Sequence, residues 1–394
     1  MPARFGHAQL GEWPLDPAIT YLNHGTVGVA PNRVLAVQQA VRDAMDRQPA
    51  TFLFRDANHL GGRAVGEKPR MRSAAAEVAQ FLGAGGYDLV FVDNATAGVN
   101  AVLRSIVWHE GDEVLVMDHS YGAVVLAARA ITRFAGATVR EAVLPWPAST
   151  EDGVVEAILS ALGPRTRLAI LDHVTSSSAL VLPLARLVEG CHARGVAVLV
   201  DGAHAPGMLA LDLPALGADW YAANMHKWAY APRSSGILWA APARQAGLHP
   251  PVISWGLDRG FTAEFDWMGT RDPSPWLAAP EGVRTLRELD VEAVRAWNHA
   301  LAWDGARRIA SATGGTFAAP ESMIGSMATI TLPESYGTSP DDAQRLRDAL
   351  LFDDRIEVAV GSFRNRVWMR ICGQVYVEEG DLQRLERALL AKRR

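Results

Sequence analysis

The amino-acid sequence predicts an α/β protein with a large domain, built on a mostly parallel seven-stranded sheet, and a smaller C-terminal α+β domain. Short apolar runs alternate with helical stretches through the middle of the chain. This alternation is typical of a parallel sheet that is covered by helices on both faces. After about residue 250 the regular alternation ends. The paired prolines of His249-Pro250-Pro251, which interrupt both helices and central strands, mark the predicted boundary.

Each strand predicted in the large domain is a short run rich in apolar and β-branched residues. These runs are Leu89–Asp93, Glu113–Met117, Thr138–Ala142, Leu168–His173, Val196–Asp201, Trp220–Ala223 and Gly236–Trp239. The helices predicted between them are Thr96–Ile106, Ala123–Phe134, Val154–Ala161 and Leu184–Ala193. Because ligands of such sheets collect at the carboxyl ends of the strands, polar residues that follow a strand are the first candidates for a site.

The sequence after about residue 250 predicts a smaller domain that contains both strands and helices. Its strands are expected at Met323–Leu332, Ile356–Val360 and Val367–Cys372, and its helices at Pro340–Leu350 and Gly380–Lys392. Residues 1–30 lack strong periodicity and are expected to pack back on the rest of the protein. The predicted organisation is therefore an N-terminal segment of residues 1–30, a large domain of residues 31–250 and a small domain of residues 251–394.

Composition narrows the class of protein. The 394 residues are 49% hydrophobic and 21% charged, with a net charge of −5, which is typical of an ordinary globular protein. No basic stripe interleaved with aromatic residues points to nucleic acid, and no run offers the ~18 apolar residues that a membrane span requires. Two cysteines, Cys191 and Cys372, are too few for a disulfide framework. We expect a cytoplasmic protein.

The most informative stretch runs from Asp201 to Lys227. Asp201 closes an apolar run, His204 follows three positions later, and Lys227 lies 26 positions after the acid, between Met225 and Trp228. A lysine can hold pyridoxal 5′-phosphate (PLP) as a Schiff base, and an acid facing the ring nitrogen keeps the pyridinium protonated. Alone, the acid is explained by a helix cap and the lysine by a surface charge. Their combination predicts a PLP enzyme.

Other polar residues follow the neighbouring strands. Ala95 and Thr96 open a predicted helix, where backbone N–H groups and a hydroxyl can bind phosphate, although a simple Thr N-cap has the same pattern. His119 and Tyr121 follow the next strand, and either ring is suited to stack on a flat cofactor. Thr175 opens a polar run that can approach the ring oxygen or the substrate, or that simply forms a turn.

Alternative chemistries lack their motifs. The sequence contains no G-x-G-x-x-G for a nicotinamide enzyme and no G-x-S-x-G for a nucleophilic serine. His204 and His226 are not accompanied by an H-E-x-x-H motif or a carboxylate cluster, so no metal site is expected. Arg370 lies within a largely apolar run, where a guanidinium requires a partner. That partner is either an internal acid or the carboxylate of a substrate.

Taken together, these motifs resemble the class V aminotransferase family of fold-type I PLP enzymes, and within it the isopenicillin N epimerase-like proteins. The similar segments are spread over the whole chain: Tyr21–Gly28, Asp93–Thr96, Asp118–Tyr121, Gly163–Arg167, Asp201–Gly207, His226–Trp228, Gly269–Asp272 and Arg370–Ile371. The block from Asp201 to Lys227 is the most specific of them.

The resemblance implies a role for each candidate residue. It implies that Lys227 holds the cofactor and moves the α-proton of an amino-acid substrate, that Asp201 pairs with the ring nitrogen, and that His204 lies beside the ring. The phosphate ligands it implies are Ala95, Thr96, His226 and, from a second subunit, Thr270. It further implies that the substrate carboxylate is received by Arg370 with the segment Asn23-His24-Gly25. A site completed by Thr270 of a second subunit implies a homodimer with shared active sites.

Departures from the family pattern limit what the resemblance implies. Asn224 replaces a small hydroxyl residue found in many members, which puts one phosphate contact in doubt. The stretch Gly361–Arg366 has no cysteine where cysteine desulfurases carry theirs, so persulfide chemistry is disfavoured. The resemblance favours epimerisation at an amino-acid α-carbon, then C–S β-elimination of cysteine conjugates, and third transamination.

Overall fold

The computed structural model describes residues 5–317 and 319–393. Its strands are β1 (Thr20–Tyr21), β2 (Leu89–Val92), β3 (Glu113–Met117), β4 (Thr138–Ala142), β5 (Thr166–Asp172), β6 (Ala197–Asp201), β7 (Trp220–Asn224), β8 (Gly236–Ala240), β9 (Met327–Thr331), β10 (Ile356–Glu357), β11 (Ala359–Phe363) and β12 (Arg366–Cys372). Every strand predicted for the large domain is therefore present, within two residues at each end.

The helices cover both the predicted segments and several that the sequence did not predict. They are α1 (His24–Val27), α2 (Asn32–Arg47), α3 (Pro49–Thr51), α4 (Arg70–Phe81), α5 (Ala95–Ser105), α6 (Gly122–Thr132), α7 (Glu151–Ala161), α8 (Leu184–His192), α9 (Leu213–Leu216), α10 (Phe261–Asp266), α11 (Ser274–Leu277), α12 (Ala279–Glu288), α13 (Val291–Thr313), α14 (Pro340–Phe352) and α15 (Glu379–Ala391). Within the described ranges, no helix is both long and apolar enough to cross a membrane.

The large sheet has seven strands in the order β2-β8-β7-β6-β5-β3-β4. The pairs from β4 through to β7 are parallel, and only β8 runs antiparallel to its two neighbours. The prediction of a mostly parallel seven-stranded sheet is confirmed. Because the parallel strands end at one edge, this topology brings the residues after β5, β6 and β7 together.

Both faces of the large sheet are buried, which explains why its strands are continuous apolar runs. Successive side chains of a strand point to opposite faces. Leu115 and Leu171 accordingly pack in one apolar cluster, with helices α4, α7 and α8. Val114 and Ile170 pack in the other, with α5 and α6. The carboxyl edge of the sheet therefore stands on a rigid, doubly covered base.

The C-terminal part of the chain forms a second, antiparallel sheet in the order β11-β12-β9. Val358 separates β10 from β11, so the single strand predicted at Ile356–Val360 is two short ones with different partners. The smaller α+β arrangement is confirmed. The domain boundary near residue 250 stays a prediction, and Trp267 and Trp276 beyond it pack in an apolar cluster of the large sheet.

The N-terminal segment lies against the small sheet. Residues 1–4 are outside the described residues, but Phe5, Trp13 and Leu22 pack in the same apolar cluster as Ile371. Strand β1 pairs with β10, and the N–H of Cys372 donates to the carbonyl oxygen of Leu22 at 3.1 Å. This packing carries the start of the chain to the edge of the large sheet, where α1 begins.

Candidate active site

A cavity of about 280 Å³ opens at the carboxyl ends of β5, β6 and β7. It is lined by Thr26, Val27, Asp93, Asn94, Ala95, Thr96, Tyr121, Asp172, Val174, Ser176, Asp201, Ala203, His204, Asn224, His226, Lys227, Arg233 and Ser234. Of the residues that the sequence predicted for a site, the structure brings seven together here: Ala95, Thr96, Tyr121, Asp201, His204, His226 and Lys227. The cavity lies where the parallel-sheet topology predicts a ligand.

Lys227 projects into this cavity from the turn that follows β7. Its residue is only 9% exposed, and its Nζ lies 3.2 Å from Nε2 of His204. Burial, reinforced by the positive charge of Arg370, lowers the pKa of Lys227 to about 7. A substantial share of the side chain is therefore a neutral amine near neutral pH, which is the form that attacks an aldehyde and accepts a proton.

Two carboxyl groups face each other at the floor of the cavity. Asp172 and Asp201 are the last residues of β5 and β6 and are paired in the parallel register. Burial raises the pKa of both, and the neighbouring Asp201 raises that of Asp172 further. The N–H of Ala203 donates to Oδ1 of Asp201 at 3.0 Å, and this bond and the Lys227 cation both lower the pKa of Asp201. Burial thus disfavours the charged form of both acids, and the charge of Lys227 offsets part of that effect at Asp201.

The histidines around Lys227 are neutral. Burial lowers the pKa of His204 well below its usual range, and the charges of Lys227 and Arg370 lower it further. His24 does not line the cavity, although the sequence placed it with the substrate. Its Nε2–H donates to the carbonyl oxygen of Lys227 at 2.9 Å, and its Nδ1 accepts from the hydroxyl of Tyr376 at 2.9 Å. His24 thus fixes the backbone that carries Lys227.

The start of α5 forms one end of the cavity. The N-cap is Asn94, whose side chain accepts from the N–H of Ala97 at 2.9 Å, so Thr96 is not the cap. The N–H of Ala95 donates to Oδ1 of Asn224 at 2.8 Å. Thr96 stays in the first turn, whose N–H groups have no partner within the helix. This end of the cavity therefore offers hydrogen-bond donors and the positive end of the helix dipole to an anion.

His226 lies at the same end, immediately before Lys227. Its Nδ1–H donates to the carbonyl oxygen of Ser235 at 3.1 Å. Burial and the charge of Lys227 lower the pKa of His226 to about 4, so the ring is neutral. Its position agrees with that of the phosphate ligand implied by the family, although a neutral ring contributes no charge there.

The two candidates for ring stacking are separated by the structure. The half-exposed Tyr121 lines the cavity of Lys227. His119 lines a neighbouring pocket with Trp146 and Phe363, and its Nδ1 is 2.6 Å from Oγ of Ser178. His119 was offered as a cofactor residue, but it lines this neighbouring pocket and not the cavity of Lys227.

Thr175 is also displaced from its predicted place. Its hydroxyl is fully buried, where it accepts from the N–H of Leu180 at 2.8 Å and lies 2.7 Å from Oγ of Ser178. The neighbouring residues Val174 and Ser176 line the cavity instead. The turn explanation of this polar run therefore fits the structure, and a cofactor contact of Thr175 does not.

Arg370 lies behind the cavity wall, on β12. One arm donates to the carbonyl oxygen of Ser176 and the other to Oγ1 of Thr26 at 2.8 Å. Its buried Nε has no partner within the described residues. No acid pairs with this guanidinium there, so the internal salt bridge considered for it is absent from the described residues. A carboxylate that enters the cavity near Thr26 and Ser176 would find this cation.

The segment Asn23-His24-Gly25 contributes less than the sequence predicted, because its side chains and backbone are engaged elsewhere. Asn23 accepts from the hydroxyl of Thr26 at 2.5 Å, and the N–H of Gly25 donates to Sγ of Cys372 at 3.4 Å. The residues that reach the cavity are the next two, Thr26 and Val27. A substrate contact of Asn23, His24 and Gly25 stays a prediction, and the cavity is lined by the second half of α1.

Thr270 is exposed and does not line the cavity. Its neighbour Arg271 forms an ion pair with Asp93, a cavity residue, and its guanidinium lies 4.0 Å above the ring of Trp276. A second cavity of about 740 Å³ borders the first and shares Asp93, Arg233 and Ser234 with it. Within one chain, the site is therefore open on the side of Asp93 and Arg233.

The donor set fits PLP: a buried amine with a pKa near 7, a buried acid whose pKa responds to the charge of that amine, and a helix start for the phosphate. Fold and site together define a PLP-dependent enzyme of fold type I. The sequence matches the aminotransferase class-V family over residues 37–363, and the chain belongs to that family.

Curated relatives with two different activities are similar to it over nearly their whole length. Isopenicillin N epimerase of Streptomyces clavuligerus is 34% identical over 96% of this chain and 96% of its own. L-cysteine desulfhydrase of Arabidopsis thaliana is 29% identical over 98% of this chain and 89% of its own. A C-DES mutant with glycine covalently linked to its PLP cofactor has the same fold, with a TM-score of 0.80, 21% identity and 99% coverage of both chains. PLP is the cofactor, and the relatives leave the reaction open.

Proposed function

We propose that this enzyme epimerises the α-carbon of an amino-acid substrate, of the kind that isopenicillin N represents. The observation that carries the proposal is the buried amine of Lys227, whose pKa of about 7 suits it to remove the α-proton at neutral pH. A proton returned to the opposite face of the α-carbon then inverts the centre. Bound PLP supplies an electron sink for the charge that is left on the α-carbon.

We assign the cofactor contacts from the positions of the side chains. Lys227 holds the cofactor covalently, Asp201 faces the ring nitrogen, and Tyr121 rather than His119 stacks on the ring. Thr96 and His226 receive the phosphate at the start of α5. The N–H of Ala95 is already bonded to Asn224, so Ala95 contributes shape at that end and not a free donor.

Arg370 orients the substrate in this proposal. Its two arms hold Ser176 and Thr26, which line the cavity, so its positive charge is fixed directly behind the place where a carboxylate would bind. Because its positive charge also lowers the pKa of Lys227, binding of a carboxylate there would raise the proton affinity of the amine. Substrate binding thus makes Lys227 a better base for the α-proton.

The second candidate is C–S β-elimination, since L-cysteine desulfhydrases are among the similar relatives and one base is enough for that reaction. A persulfide route is less well supported. The stretch predicted to replace the catalytic-cysteine loop is the β11–β12 hairpin, and Cys372 is buried, with a pKa that burial raises. A buried thiol of raised pKa is a poor nucleophile.

We also propose a homodimer in which Thr270 of one chain completes the phosphate end of the other. Thr270 is exposed, and the adjoining cavity of about 740 Å³ opens beside Asp93 and Arg271. The end of the site around Asp201, His204 and Lys227, which we call the ring end, is closed. The phosphate end, at the start of α5, is open and has room for a second chain.

The reaction is tested by incubating the holoenzyme with amino acids and cysteine conjugates in deuterated water. Deuterium at the α-carbon with inverted configuration is the result expected for an epimerase. Pyruvate with a sulfur-containing fragment would replace the epimerase with a lyase, and a keto acid with pyridoxamine phosphate would indicate an aminotransferase. Lys227→Ala is the control, and α-exchange that survives in it would overturn the assigned base.

A further inference from the structure

We propose that Arg233 is the cationic partner of the cofactor phosphate. Neither the sequence motifs nor the family pattern pointed to this residue. It lines the cavity of Lys227 together with Thr96 and His226, and it also lines the larger cavity beside it. The inference rests on PLP being the cofactor and does not depend on which reaction the enzyme catalyses.

The backbone places Arg233 at the phosphate end. Strand β8 begins at Gly236, which pairs with Val92 of β2, so the residues before β8 lie beside the start of α5. A Cβ added to Gly236 would be 2.6 Å from the Cα of Asn94. The turn that carries Arg233 is therefore packed directly against the helix start that receives the anion.

The same turn is tied to His226. The N–H of Met225 donates to the carbonyl oxygen of Ser235 at 2.9 Å, and His226 donates to the same oxygen from its ring. Ser234 has a φ of 65°, a left-handed conformation that is uncommon for a residue with a side chain. Strained backbone of this kind persists where its surroundings hold it, and such residues cluster at functional sites.

A cation is needed at this end. Phosphate brings up to two negative charges, whereas Thr96, Asn224 and the neutral His226 bring none, and Asp93 is an acid already paired with Arg271. Arg233 is exposed and forms no hydrogen bond or ion pair within the described residues. A guanidinium can bind two phosphate oxygens at once, which a helix dipole alone cannot do.

The test compares the affinity of the apo-protein for PLP with its affinity for pyridoxal, which lacks the phosphate. We expect Arg233→Ala to weaken PLP binding about tenfold, as for a charge-assisted hydrogen bond at a partly exposed site, and to leave pyridoxal binding unchanged. Arg233→Lys should recover part of the loss. Arg104→Ala removes the same charge from the exposed far end of α5 and should change neither affinity.

Every other outcome overturns the proposal. Equal weakening of PLP and pyridoxal would mean a structural role. Unchanged PLP affinity with a raised KM for dicarboxylic substrates would assign Arg233 to the substrate, and dissociation of a dimer in sedimentation would assign it to the partner chain. A wild-type protein that binds no PLP would instead refute the cofactor assignment itself, so the two failures are distinguishable.

Discussion

The two ends of the cavity differ in how completely one chain builds them. At the ring end, Asp201, His204 and Lys227 are all less than a tenth exposed. At the phosphate end, where α5 begins, Arg233 is exposed and a larger cavity opens alongside. Burial at the ring end shifts proton affinities, whereas the phosphate end works with charges and donors in contact with water. The comparison indicates that the chemistry is set within one chain, whereas in the proposed homodimer cofactor retention is shared.

The difference between the two ends is tested first by removing a carboxyl group from the ring end. Asp201→Asn removes the carboxyl group assigned to the ring nitrogen, and we expect the α-exchange rate to fall about 10²- to 10⁴-fold, since leaving a buried charge unpaired costs roughly 3–5 kcal/mol. Asp172→Asn is the matched control at the paired strand position. It makes the same change in an acid to which no cofactor contact is assigned, and should change the rate only a few-fold. Equal losses in the two variants would contradict the assignment of the ring-nitrogen contact to Asp201.

Substitution of Arg370 tests whether this residue receives the carboxylate of the substrate. Arg370→Lys keeps the charge but loses the planar fork, so we expect KM for the amino acid to rise about 10- to 100-fold. PLP affinity and its absorbance should not change. Arg366→Ala, on the exposed start of the same strand, serves as the control. A variant that loses PLP instead of substrate affinity would place Arg370 with the cofactor.

The lowered pKa of Lys227 predicts how fast the apo-protein captures PLP at different pH values. Burial disfavours the ammonium form, so the reactive neutral amine predominates above a pKa of about 7 and is lost as the pH falls below it. The capture rate should fall about tenfold per pH unit below 7 and level off above it. An amine with an unperturbed pKa of ~10.4 would instead keep gaining rate up to that pH. A capture rate that still rises at pH 9 would show that the pKa of Lys227 is not lowered.

The smallest effect is expected at the open end. Thr270→Ala removes one neutral hydrogen bond, so PLP affinity should fall only a few-fold, in line with ~1 kcal/mol for such a bond. Mixing Thr270→Ala chains with Lys227→Ala chains should leave some hybrid sites intact and others doubly damaged. A fully active monomer in sedimentation would refute the shared site.

Much of the ring end could be predicted because its residues are close in sequence. Asp201 and His204 are three positions apart, and Asp201 ends an apolar strand. Tyr121 and His119 are also close, but which of them faces the cavity depends on the turn after β3. Arg233 carried no sequence signal, since an arginine between Pro232 and Ser234 is an ordinary loop residue until β8 is paired with β2.

There are also physical reasons why the sequence did not predict some of the helices. The longest, α13, buries Asn298, Ala302, Gly305 and Ala306 along much of its packed face. Small and polar residues at helical spacing give little hydrophobic periodicity, although they allow α13 to lie close against its neighbours. The sequence marks only the two ends of α13 clearly. Asp290 is the N-cap, and Gly314 follows Thr313 in a left-handed conformation.

Lys227 is assigned two tasks, to hold the cofactor and to perform the proton transfer. The most direct measurement is borohydride reduction of the purified holoenzyme, followed by mass spectrometry of its peptides. We expect the mass of reduced phosphopyridoxyl on the peptide that contains Lys227, and bleaching of the yellow colour. Lys68→Ala, an exposed lysine, should behave as the wild type, whereas Lys227→Ala should show no such label. A label on another lysine, or a colourless protein that takes up no PLP, would contradict the account.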